Sequence, residues 1–140
     1  MNFIFAKLYE EYKRKNYSPK YNITLYISII YFFLSFAILL PIKTFIDKKL
    51  FNGQIEYEKS TVIIVISGLL ALILLFVHQI YIKNERIFRL VQRYKGMKIN
   101  KVILNFIIIL TPVILVLLGG AMTVYLNGGK LFGNEINGLF

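Results

Sequence analysis

The sequence predicts an all-α integral membrane protein, with three transmembrane helices and two short cytoplasmic amphipathic helical segments in a single membrane domain spanning 1–140. Three observations carry that prediction. Hydrophobic residues make up 57% of the chain and mean hydropathy is +0.63, too apolar for an ordinary soluble domain. Three apolar runs, none with an Asp, Glu, Lys or Arg, are each long enough for the roughly 20 helical residues that cross a hydrocarbon core of about 30 Å. Finally, 17 lysines and arginines stand against seven acids, and they gather on alternate flanks of those runs.

The N-terminal segment, residues 2–16, interleaves Phe3, Ile4, Phe5, Leu8, Tyr9 and Tyr12 with Lys7, Glu10, Glu11, Lys13 and Arg14. That spacing is amphipathic and helical, and it ends before Ser18-Pro19. The first span covers 22–46, around the uncharged run ITLYISIIYFFLSFAILLPI from Ile23 to Ile42. Pro41, near its end, reads as the exit from the helix. The run begins too late and extends too far for a cleavable signal peptide, and no small-x-small site follows it, so it is expected to remain as a span.

An external loop, 47–60, holds Asp47, Glu56 and Glu58. The second span is 61–82. Thirteen Val, Ile, Leu or Phe residues lie between Val62 and Val77, each favouring insertion by roughly 0.3 to 0.6 kcal/mol at mid-membrane. Their sum is on the order of 4 to 8 kcal/mol, an upper bound because end positions count for less. A soluble helix would carry a polar stripe at a period near 3.6, and none is present.

No helix breaker stands between Val77 and Tyr94, so the second span is expected to continue as one helix into the cytoplasm to about residue 95, stopped by Gly96. Ile87, Leu90, Val91 and Tyr94 mark its apolar side, with Arg86, Arg89 and Arg93 turned mostly away. Those arginines, with Lys95 and Lys98, are the candidate contact for anionic lipid headgroups or a protein partner. The two amphipathic segments are expected to pack partly on each other through their aromatic faces. Glu10, Glu11 and Glu85 are the acids on that side able to meet the arginines. No nucleic-acid motif surrounds the basic stretch, so nucleic acid is not an expected partner.

The third span is 101–126. Pro112, after Thr111, removes a backbone hydrogen bond in mid-span and predicts a kink. Asn105 reads as an inward-facing hydrogen-bonding residue between helices. Small residues at Ser67, Gly68 and Ala71, and at Gly119, Gly120 and Thr123, mark close-packing spots where the second and third spans would meet, within one chain or between chains. The tail 127–140 has four glycines and reads as a turn-rich external end.

Twelve basic residues flank the spans on one side: Lys7, Lys13, Arg14, Lys15 and Lys20, then Lys83, Arg86, Arg89, Arg93, Lys95, Lys98 and Lys101. Lys43, Lys48, Lys49, Lys59 and Lys130 lie on the other. The inside-positive bias therefore places the N-terminus in the cytoplasm and the C-terminus outside.

The chemistry is sparse. There is no cysteine for a disulfide, a thiolate metal site or an acyl anchor. His78 is the single histidine and no acid lies in a span, so no metal, cofactor, catalytic residue or small-molecule substrate is expected. Ser28, Ser35 and Ser67 have no nearby base. The richness in Ile, Lys, Asn and Tyr resembles that of an AT-rich bacterial genome. The expectation is a small non-enzymatic protein of a bacterial inner membrane, acting through contacts with another membrane protein or itself as an accessory subunit. An immunity-type protein against a pore-forming toxin and a holin-like self-assembling pore former are the alternatives.

Overall fold

The computed structural model describes residues 1–51, 57–131 and 133–139. Helix α1, Asn2–Arg14, is followed by α2, Pro19–Leu50, and α3, Lys59–Val77. A π-helical turn, His78–Lys83, leads to the short α4, Arg86–Arg93. Helix α5, Lys101–Asn127, precedes a small antiparallel hairpin of β1, Gly129–Leu131, and β2, Asn134–Ile136, with Lys130 opposite Glu135. Three helices are long and apolar enough to cross a membrane: Pro19–Leu50, Lys59–Lys83 and Lys101–Asn127. Part of the expected loop 47–60, including Glu56, lies outside the described residues.

Helix α1 stops at a Schellman turn, in which Asn16 takes the left-handed conformation at φ 59°. The Tyr17 amide donates to the Tyr12 carbonyl and the Asn16 amide to that of Lys13, satisfying two orphan acceptors. Ser18 then opens α2 with Pro19 in its first turn, where a missing N–H costs nothing.

Helix α2 is the hub. At 32 residues it is about 48 Å long. It packs along α5, against α3 and, near its N-terminal end, against α1. Within one chain the second and third spans do not meet: α3 and α5 make no substantial contact with each other. Gly119 instead lies against α2, where a Cβ in its place would stand 2.8 Å from the Ala37 Cα and 3.1 Å from its Cβ. Only hydrogen fits at this crossing. Gly68 and Gly120 have nothing within 4 Å of the corresponding position.

Pro41 and Pro112 both lie inside helices. Pro41 is not an exit but a buried residue inside α2, which continues to Leu50. The far end of the helix is tied to α5: the Asn127 amide donates to the Pro41 carbonyl at 3.3 Å, and Lys48 donates to the Asn127 carbonyl. Pro112 sits within α5 and cannot donate to the carbonyl of Ile108. The Tyr26 hydroxyl of α2 reaches that carbonyl at 3.4 Å. In an apolar medium such a substitute matters, because an unpaired carbonyl there costs several kcal/mol.

The second span does not continue as one helix to residue 95. It widens into the π turn, breaks at Asn84-Glu85, and restarts as α4. Glu85 adopts φ 54°, and the Asn84 carbonyl accepts from Arg89 Nη2 at 3.0 Å. The wide turn aims Tyr81 inward, 2% exposed, and the break folds α4 back so that Ile87 and Leu90 cover α1. Left-handed backbone costs a non-glycine residue about 1–2 kcal/mol. Glu85→Gly removes that cost but adds about 0.4–1 kcal/mol of unfolded-chain freedom, so it is expected to keep or slightly raise stability, whereas Glu85→Val, β-branched, should lower it by roughly 1–2 kcal/mol in thermal denaturation.

The best-covered part of the molecule lies at the end bearing α1 and α4. Residues 4–9 of α1 are all buried, so this helix is enclosed on most sides rather than lying on a surface with one face wet. Phe5 forms edge-to-face pairs with Tyr26 at 6.1 Å and Tyr81 at 6.0 Å. Phe3 meets Tyr94 at 5.4 Å and Tyr9 meets Phe88 at 5.6 Å. Each such pair contributes about 0.5–1.5 kcal/mol beyond area burial.

Candidate functional site

The arginines of α4 form one stripe. Positions 86, 89 and 93 fall within about 60° of one another on a helix of 3.6 residues per turn. Beside the stripe, Ile87 and Leu90 are buried and anchor the helix to α1, while the three arginines stay exposed. Arg86 stacks 5.0 Å over the ring of Tyr81, Arg89 caps Asn84, and Arg93 stands 5.9 Å from the Tyr94 ring. All three are exposed, as are Lys95 and Lys98. These contacts orient the guanidinium groups without neutralising them, since aromatic faces and carbonyls carry no net charge.

The expected acids do not meet these arginines. Glu10 pairs with Lys7 at 2.6 Å, while Glu11 pairs with Arg14 and, at 3.6 Å, with Lys15. Helical spacing explains the choice, because partners three or four residues apart on one helix are nearest neighbours. Among the described residues none of the α4 arginines has a carboxylate within 4 Å. Burial works against ionisation of Glu11, yet the hydrogen bond and charge of Arg14, with Lys15 and Lys101 beyond, hold its carboxyl below the usual range. The acids of α1 are committed to partners within their own helix.

Lys7 is itself buried, its side chain 9% exposed, and its ammonium lies 2.6 Å from Glu10 and 6.0 Å from the Phe3 ring centroid. Sequence reasoning passed over this residue, because a lysine in an amphipathic pattern reads as solvated. The signal available was the unbroken buried run around it, visible only once α2 and α4 enclose α1.

The packing residues separate. Asn105 is exposed on α5 rather than facing another helix; its neighbour Leu104 is the buried one, 4% exposed. Ser67, Gly68 and Ala71 form an open face on α3. Gly119 is used within the chain, and Thr123 bonds back to the Gly119 carbonyl at 2.8 Å. Gly120 points outward.

A cleft of about 340 Å³ opens between α1 and the connection from α4 to α5, bringing Lys98 and Lys101 opposite Glu10 and Arg14. Lys98 is thus separated from the arginine stripe and belongs to this second feature. Among the described residues no group of three or more His, Cys, Asp or Glu side chains is arranged to hold a metal. No family model matches the chain, and neither curated proteins nor solved structures give a match to it.

Proposed function

We propose that the chain is a three-span protein of a bacterial inner membrane, N-terminus in the cytoplasm, that works without catalysis as an accessory subunit through contacts with another membrane protein. One observation carries the reading: α3 buries only Val77 among its nineteen residues, and its Ser67, Gly68 and Ala71 face is left open by its own chain. Small residues on a span let another backbone approach closely, and dispersion and hydrogen bonding at that distance drive association in lipid. Gly119 supports it by contrast, since the chain fills that small-residue position with α2. The arginines of α4, without a carboxylate partner among the described residues, supply a charged contact at the same molecule's cytoplasmic end.

Co-purification in mild detergent tests this. A second, distinct membrane protein is expected at constant stoichiometry, and Ser67→Leu with Ala71→Leu should release it. A lone monomer under the same conditions defeats the accessory reading, and a ladder of homo-oligomers replaces it with self-assembly.

A further inference from the structure

We propose that the cleft between α1 and the α4–α5 connection binds one anionic phospholipid by its phosphate group. The inference rests on the membrane placement proposed above and assigns a discrete site where that reading gives only a charged surface.

Charge comes first. The walls carry Lys7, Arg14, Lys98 and Lys101 against Glu10 and Glu11. Both acids are already occupied, Glu10 by Lys7 and Glu11 by Arg14 and Lys15. Lys98 and Lys101 face them from the other wall, and among the described residues neither has a carboxylate within 4 Å. Lys101 feels the Glu11 charge only from beyond ion-pair distance, and four basic side chains against two acids leave the concave site with a net charge of about +2, which suits one phosphate. Lys101 is also the first residue of the 27-residue α5, so the positive end of that helix adds to the same potential.

The remaining lining decides between a soluble anion and a lipid. Met97, Ile99 and Leu104 complete the cleft. Leu104 is buried and lies in the first turn of a candidate span, so the cleft opens where headgroups would give way to hydrocarbon. A free phosphate has no use for an apolar wall. A phospholipid sets its phosphate on the lysines and its glycerol and first methylenes against those three side chains.

Native mass spectrometry of the full chain in mild detergent, titrated with phosphatidylglycerol, tests the site. One lipid per chain is expected, with phosphatidylcholine binding more weakly. Lys98→Gln with Lys101→Gln should weaken phosphatidylglycerol binding on the order of thirtyfold, from about 1 kcal/mol per basic residue at the surface. Lys13→Gln with Lys83→Gln removes equal charge outside the cleft and should leave binding nearly unchanged. Equal loss in both double variants, absence of saturable binding, or displacement of the lipid by inorganic phosphate at equal concentration each overturns the proposal. If the wild-type chain stays in carbonate-washed membranes yet shows any of these results, the cleft assignment alone fails; if carbonate extracts the chain, the membrane reading fails first.

Discussion

Gly119→Ala is expected to destabilise the chain by about 1–3 kcal/mol, the usual cost of forcing a methyl group into a filled contact. The added carbon would sit 2.8 Å from the Ala37 Cα, and a backbone atom cannot swing aside as a long side chain can. The only relief is separation of α2 and α5, which loosens the most extensive helix pair in the molecule. Gly119→Val should cost more, since two further methyl carbons enter the same space. Gly120→Ala and Gly68→Ala are the controls. Both positions are open, so alanine there should change stability by no more than about 1 kcal/mol, and in the favourable direction by helix propensity. Thermal denaturation in detergent separates the two sets; a Gly119→Ala variant as stable as Gly120→Ala would contradict the crossing at Ala37.

Phe5→Ala should have the largest effect of any single truncation at the opposite end of α2, about 3–5 kcal/mol. Phe5 is 3% exposed and its ring touches both Tyr26 of α2 and Tyr81 of the π turn, so one side chain holds three elements together. Its loss leaves a cavity walled by two tyrosines whose positions depend on it. Helix α1 is then expected to detach locally before the spans do. Lys7 reports this, because its buried peptide bond is a trypsin site only when α1 opens. Cleavage after Lys7 should be slow in the native chain and fast in Phe5→Ala, with Phe3→Ala between them because Phe3 is only half-buried.

The spans were legible because length and hydropathy are local properties. Uninterrupted apolar runs announce themselves whatever they pack against, and the structure extends the first by a few residues at each end, to Pro19 and Leu50. Partners are not local. Gly119 reads as a close-packing residue from its type alone, but nothing in its neighbourhood says that Ala37, rather than the small residues of α3, will face it. Asn105 shows the same limit: polarity suggests a buried partner, whereas α5 buries Leu104, Gly119 and Asn127 against its own chain and leaves Asn105 exposed. The break after Lys83 was hidden differently. Asn84 and Glu85 are ordinary interfacial residues, and the left-handed turn falls on Glu85, the poorer of the two for it. Tertiary gain from seating Tyr81, Ile87 and Leu90 offsets that cost. Gly96, by contrast, takes φ 84° just beyond α4, where the stop was placed.

The arginine stripe was legible as a stripe, since positions 86, 89 and 93 share a face at any helical period near 3.6. The cleft was not, because it joins residues from α1 with others some 90 positions later. Only the return of α4 across α1 brings them together.

In the proposed topology, three spans set the α1–α4 end and the hairpin end on opposite sides of a membrane. The chain has no cysteine, so single engineered ones report cleanly. Lys98→Cys and Asn134→Cys are exposed at the two ends and suited to labelling with a membrane-impermeant maleimide in intact spheroplasts. Asn134→Cys should label at once, and Lys98→Cys only after the membrane is opened. Equal labelling of both, or labelling of Lys98→Cys alone, would contradict the account.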